Sequence, residues 1–433
     1  MNPGAMMTSY EDAKGRRGDK TEKRLKFIAP LRNERTEATS DHADYLGLEN
    51  IQSWTGKLLP SATSDFSEDD NSASGTANVF YSGDVLFGKL RPYLAKALHA
   101  DKDGVCSTEL LVLKPQPDIH PRFLLYSMLS PDFVGQVDAS TFGAKMPRAN
   151  WEFIGSMKLS IPTYETQRLI ADYLDLETGR IDALVAEKEK MLALLEEKRA
   201  ALISRVVTRG LDESVPRKPS GLDWLGEIPE HWEVCQLKRT WASADYGLSD
   251  NIRDEGGITV LRMSCIVDSR IDITKAGTIE EADEYLYLRK GDLLFNRTNS
   301  LDQIAKVGLV DFDPEFPLTF ASYLVRIRIN HRASPEYLAY LLNSRDFLEY
   351  ARKNAIAAIG QANLSPSRYG EIHIPLPGVE EQNKITQVLN EDAELLSPLR
   401  KNIQDSIHLL HERRAALITA AVTGRIPVEE MTA

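Results

Sequence analysis

The segment EEKRAALISRVVTRG (196–210) returns near the end of the chain as HERRAALITAAVTGR (411–425), with R-A-A-L-I at the same place in each. With Arg199 laid on Arg414, Gln167 falls on Gln382, and Ile51 of YLGLENI (45–51) falls on Ile266 of LRMSCIV (261–267). The repeat therefore covers a whole half of the chain. Each half runs through the same markers in the same order. RLKFI (24–28) or QLKRT (236–240) leads into a β-like run, then SGDVLF (82–87) or KGDLLF (290–295), then KLSIP (158–162) or IHIP (372–375), then a long helix. Between the markers the halves diverge, and FGKLRPYLAKALHAD (87–101) stands where the second half has FNRTNSLDQIAKVGLVD (295–311). A framework is repeated and its filling is changed.

The helical segments carry a seven-residue seam. Leu174, Ile181, Leu195 and Leu202 hold one row in the first, and Leu389, Leu396, Ile403, Leu410 and Leu417 hold it in the second. Leu184 and Met191 supply the other core row of the first helix, and Leu399 begins that of the second. Heptad seams of this kind bury themselves against a partner helix. If the halves are related by a pseudo-two-fold axis, the two helices pair antiparallel. A helix over residues 165–208 would be roughly 65 Å long at 1.5 Å per residue. Pro398 lacks a donor and predicts a kink or restart in the second helix. Glu187 with Lys190 and Glu196 with Arg199 read as exposed pairs on the flank of the seam.

Composition excludes several classes of protein. The 433 residues, 42% of them hydrophobic, suffice for a sizeable core. A formal net charge of -12 argues against binding polyanions by bulk charge, so any nucleic-acid contact must be local. Cys106, Cys235 and Cys265 are too few and too scattered for a disulfide framework or a zinc site, which fits buried thiols in a reducing cytoplasm. The first residues, MNPGAMMTSYEDAKGRRGDKTEKR (1–24), have no apolar core of a signal peptide and read as a basic, flexible tail. No apolar run is long enough to span a bilayer.

Catalytic motifs are not recognisable. DFDPEF (311–316) only superficially suggests the D-P-P-[FY] element of an amino-methyltransferase, and no glycine-rich cofactor strand accompanies it. FGKL (87–90) lacks the spacing of a phosphate loop, and His408 and His411 lack a third metal ligand. What does cluster, within the diverging fillings, is a set of basic and amide side chains. Lys89, Arg91, Lys96, Lys145 and Arg148 fall in the first half; Arg297, Asn299, Gln303, Gln361, Asn363 and Arg368 fall in the second. Arginine reads guanine bidentately, asparagine and glutamine read adenine, and lysine neutralises phosphate, so these are candidate DNA contacts. The acidic loop SATSDFSEDDNSASGT (61–76) should face away from phosphate.

WLGEIPEHWEV (224–234), IPTYETQRLIADYLD (161–175), IPLPGVEEQNKITQVLN (374–390), the paired RAALI helices and the GD-[VL]-LF strands together resemble the specificity subunit of Type I restriction-modification systems. The resemblance runs from about residue 22 to 426. It implies an α/β fold with two target-recognition domains separated by an antiparallel pair of long coiled-coil helices. The corresponding boundaries are a flexible tail at 1–21, recognition domain 1 at 22–160 and a central long helix at 161–210. A linker and lead-in at 211–235, recognition domain 2 at 236–372, a C-terminal long helix at 373–426 and a tail at 427–433 follow. The resemblance further implies a chain that does no chemistry and holds no cofactor. Its partners would be double-stranded DNA, two modification subunits using S-adenosylmethionine, and two restriction subunits using ATP and magnesium. Each recognition domain would read one half of a bipartite, asymmetric site, with the helices fixing the gap. Gln167 and Gln382 are candidates for the surface that meets a partner subunit. Two readings compete with this one: a methyltransferase or nuclease with its own recognition domains, and a scaffold unrelated to DNA.

Overall fold

The repeated G-D marker opens the central strand of each half. The computed structural model describes residues 21–37, 45–59, 75–143, 145–249, 257–358 and 361–432, so nearly all of the expected tail 1–21 and of the acidic loop 61–76 lies outside the described residues. Gly83 and Gly291 take φ of 90° and 89°, the left-handed region that a glycine enters without strain. The aspartate that follows each is buried and accepts from the backbone N–H three residues before it, Asp84 from Tyr81 at 2.9 Å and Asp292 from Arg289 at 3.0 Å. Each carboxylate is neutralised by an arginine. Arg32 bonds Asp84 at 2.8 Å, and Arg328 bonds Asp292 at 3.0 Å.

The chain divides into two compact units, one formed by the chain up to Glu189 with that from Gln404 on, the other by Lys190–Ile403. In the first, strand Val85–Gly88 lies between Ala97–His99 and Leu110–Leu113, antiparallel to both. Side chains alternate across a strand. Val85 and Phe87 face a core with Phe123, Leu124 and Met128 of helix Pro121–Met128, while Leu86 faces Leu46, Ile51 and Phe80. A four-stranded sheet, in the order Arg35–Glu37, Thr76–Phe80, Gly104–Cys106, Tyr45–Leu46, closes that second face. Strand Thr21–Arg24 pairs with Lys158–Ile161 just before the first long helix.

The second unit repeats the plan. Strand Leu293–Asn296 is interior to a six-stranded sheet between Leu324–Ile329 and Val307–Leu309. Leu293 and Phe295 pack with Tyr337, Leu338 and Leu341 of helix Pro335–Leu342, and Leu294 packs on Leu261, Leu318 and Phe320. Strand Glu233–Gln236 pairs with His373–Leu376 as Thr21–Arg24 pairs with Lys158–Ile161. The expected linker 211–235 is structured: Arg217–Leu222 and Leu225–Pro229 form a hairpin, and Trp232 is 1% exposed in the core.

Two long helices, Tyr164–Arg209 and Val379–Val422, follow those strands. The second begins later than residue 373 because His373–Leu376 is a strand. Within the first unit, Leu174 shares a core with Ile418 and Val422 while Asp182 meets Arg414, so the helices run antiparallel there. Within the second, Val206 and Leu389 share a core while Glu196 meets Arg400 at 2.8 Å, again antiparallel. Glu196 thus pairs across the seam rather than with Arg199.

One row of the seam is as the spacing predicts. Leu174, Ile181, Leu389 and Ile403 are buried, and Leu195, Leu202, Leu396, Leu410 and Leu417 are half-buried. The other row differs. Leu184, Met191 and Leu399 are 52%, 48% and 42% exposed, and the flank that is buried instead in the first helix is that of Thr178 and Val185, four residues beyond Leu174 and Ile181. Counting three or four residues from a heptad position gives equally good stripes on either flank, and the contacts made by the domain decide which flank turns inward. Pro398 causes no break, because it is exposed and the carbonyl it leaves unbonded, that of Glu394, lies on the open side of the helix. The C-terminal residues do not trail as a tail. Val428–Met431 forms a short turn of helix and Met431, 8% exposed, joins the first unit's core.

Arg414 closes the first unit. Its side chain, 5% exposed, donates to Asp182 at 2.8 Å, to the Trp54 carbonyl at 2.7 Å and to the Thr55 carbonyl at 3.2 Å. Lys57 reaches the same carboxylate at 2.7 Å but is half exposed. Arg414→Ala should lower stability by about 2–4 kcal/mol, since two carbonyls lose their donor and a half-buried carboxylate keeps only the exposed Lys57. Lys57→Ala should cost under about 1 kcal/mol. Urea unfolding of the two variants measures this, and an equal loss would contradict the clamp.

Candidate nucleic-acid interface

Beyond each central strand the chain forms an edge against the segment that precedes a short helix. In the first unit the Ala149 N–H donates to the Lys89 carbonyl at 2.9 Å and the Arg91 N–H to the Pro147 carbonyl at 2.8 Å. In the second, Thr298–Asn299 pairs antiparallel with Gln361–Asn363, and the Leu364 N–H donates to the Arg297 carbonyl at 2.9 Å. The short helices that follow are capped alike, Asn150 accepting from the Phe153 N–H and Ser365 from the Arg368 N–H. The two edges are one piece of architecture carrying different side chains.

On the first edge Lys89, Arg91, Lys145 and Arg148 come together. Arg91, in the left-handed region at φ 50°, and Lys145 are exposed and Lys89 is half-buried. Arg148 makes a two-pronged contact with Glu109, at 3.0 and 3.2 Å, so its charge is already balanced. Lys96 does not belong to this edge. Its ammonium bonds the Leu48 carbonyl at 2.6 Å, and burial holds its pKa below the usual lysine range. The neighbouring surface carries exposed Tyr93, Phe142 and Met146.

The second edge gathers Arg297, Asn299, Gln361 and Asn363. Gln361 and Asn363 point outward on either side of buried Ala362. Asn299 accepts from the Ser300 N–H at 2.8 Å, which leaves its amide NH2 for another acceptor. The Arg297 guanidinium lies 5.2 Å from the ring centre of Tyr246 and donates to the Ser322 carbonyl at 3.2 Å. Buried polar atoms normally find partners. Here Asn296 Oδ1, Arg297 Nε and Thr298 Oγ1, on three successive residues, have none among the described residues. Gln303 is held aside by Asp302 and Lys306, and Arg368 is exposed on the short helix. Tyr246, 54% exposed beneath Arg297, was not legible from the sequence, where a tyrosine in a β-like run reads as core.

Gln167 and Gln382 do not form partner-facing surface: both are fully buried. Gln167 accepts from the His120 N–H at 2.8 Å and donates to the carbonyls of Asp118 and Pro162 at 3.0 and 2.9 Å. Gln382 accepts from the Ser334 N–H at 2.7 Å and donates to the carbonyls of Arg332 and Pro377 at 3.1 and 2.8 Å. An amide alone offers one acceptor and two donors in this geometry, which is why the residue repeats.

The family described as Type I restriction modification DNA specificity domain matches residues 19–190 and 229–407. The chain belongs to that family. It is 33% identical to a putative type I restriction enzyme specificity subunit, MjaX, of Methanocaldococcus jannaschii, over 42% of this chain and 44% of that protein. The chain thus matches less than half the length of that relative. It is 21% identical to the EcoBI specificity subunit of Escherichia coli over 82% of this chain and 78% of that one. In fold it is similar to a chain from a structural study of complex assembly in a type I R-M system, with a TM-score of 0.67 and 18% identity over 94% and 98% of the two chains. Among the described residues of this specificity-family chain, no helix is long and apolar enough to cross a membrane and no three acidic, histidine or cysteine side chains are placed to hold a metal.

Removing the repeated amide should weaken the framework alone. Gln167→Ala and Gln382→Ala should each cost about 1–3 kcal/mol, because one buried N–H and two carbonyls lose their partner. Gln→Glu at either position should cost more, since a carboxylate cannot donate to carbonyls. Chemical denaturation that ranks Glu above Ala would refute the bracket.

Proposed function

We propose that this chain is the non-catalytic DNA-specificity subunit of a Type I restriction-modification complex, each unit reading one half of a bipartite site. The observation that carries the reading is the pair of equivalent edges: one backbone arrangement, twice, with lysine and arginine on the first and arginine with three amides on the second. Divergence confined to outward side chains on a constant frame is what two independent sequence readers need.

The negative charge of the chain implies that partners supply much of the phosphate neutralisation. Those partners are two modification subunits, which use S-adenosylmethionine, and two restriction subunits, which use ATP and magnesium, in the cytoplasm. The long helices support docking of the modification subunits, for they leave Leu176 and Leu409 of the first unit, and Leu194 and Leu395 of the second, more than half exposed.

On the second edge Arg297 lies over the Tyr246 ring, 5.2 Å from its centre, and fits a guanine read in the major groove. Arg297→Ala in the assembled complex should relax one base of one half-site, at a cost of about 1–3 kcal/mol in discrimination. The other half-site should be unchanged. Sequencing of methylated sites in cells carrying the variant and its methylase reads this directly, and a motif unaltered at every position would contradict the role of this edge.

A further inference from the structure

The repeat is broken at one place behind the reading edges. In the first unit the turn Gln52–Lys57 carries Trp54, whose ring packs against the core and whose carbonyl receives Arg414, itself seated on Asp182. In the second unit the turn and the carboxylate are changed while the arginine is kept. The hairpin closes at Ile266 and Ile271 through the shorter turn Val267–Arg270, which holds no aromatic residue. Ser397 stands where Asp182 stands in the repeat. Arg199, the counterpart of Arg414, lines an open cavity of about 610 Å³.

The cavity lies wholly within the second unit. Ala200, Ser269, Ala339 and Tyr340 contribute to its walls, and five carboxylates border it against three cations, Arg199, Arg270 and Lys290. Tyr340 is fixed by a 2.7 Å hydrogen bond to Asn390, as Tyr126 is fixed to Asp175 in the first unit, so the wall is shaped by the same framework that is filled there. A volume in the range of about 300–1,000 Å³ accepts a large side chain or a small ligand. The residues that carry most of the binding energy between proteins are enriched in tryptophan, tyrosine and arginine seated in well-packed pockets.

We propose that this cavity is a socket for an aromatic side chain, beside a basic residue, of the polypeptide that docks on the second unit. The occupant follows from the repeat, since the chain's own tryptophan takes the equivalent place in the first unit, and the bordering carboxylates, which outnumber the cations five to three, favour a cationic neighbour. The two halves therefore hold their partners differently, because the first is plugged by Trp54. This inference rests on the reading that the chain assembles with modification subunits.

Two plugs test it from opposite walls. Ser269→Trp on the turn and Ala200→Trp on the helix should each weaken binding of a modification subunit at the second unit at least tenfold, so that native mass spectrometry shows one partner copy per chain where the wild type shows two. A direct probe accompanies them. Cys106, Cys235 and Cys265 are buried, so Ser269→Cys can be labelled alone with bimane, whose emission a contacting aromatic ring quenches. Quenching on addition of the modification subunit is expected. Plugged chains that assemble as the wild type does, a bimane signal indifferent to the partner, or quenching that rises with concentration of the chain alone would each overturn the socket. A wild-type chain that binds no modification subunit would instead overturn the reading of the chain as a specificity subunit, and the socket with it.

Discussion

A single buried amide ties each half together. Gln167 and Gln382 sit in the first turn of the long helices, and each bonds the strand exit just before its own helix and the backbone that starts a shorter helix of the α/β domain. Three backbone groups that would otherwise be buried without partners converge on one side chain, and such groups are costly when left unpaired. The junction between domain and helix is thereby fixed at its root, in both halves, by the same chemistry. The two edges hang on the central strands that pack against those shorter helices. Their placement depends on the junction holding.

The repeat is one of backbone roles more than of residues. Asp84 and Asp292 occupy identical turns, yet their arginines come from different parts of the fold: Arg32 precedes the sheet and Arg328 ends a strand within it. The charge must be balanced because a buried carboxylate is otherwise prohibitively desolvated, but any element that passes nearby can supply the cation. The same freedom shows at the two equivalent edges. Their hydrogen-bonding frame is constant because backbone pairing is obligatory, while the outward side chains answer to no such constraint within the chain.

This separates what was legible in the sequence from what was not. The repeat, the central G-D strands, the long helices and the two α/β halves follow from period and punctuation, which are properties of neighbouring residues. Arg297, Asn299, Gln361 and Asn363 were found because the filling between markers was rich in amides, and the fold brings them onto one edge. Lys96, Gln303, Gln167 and Gln382 carry the same kinds of side chain, yet each is bonded within the protein. Residue type alone could not distinguish a polar group aimed at solvent from one aimed at a carbonyl far away in sequence. The inner row of the helix seam failed for a related reason, since the domain packed against the helix, rather than the helix itself, chooses which flank is buried.

The central claim is that the two units specify DNA separately on a shared frame. Replacing residues 236–371 by the matching filling of another family member, with the first unit and both long helices retained, tests it most directly. Methylated-site sequencing of cells that express the chimaera with its methylase should show one half of the recognition motif altered, the other half intact and the gap between them unchanged. A motif in which both halves change together would contradict the account.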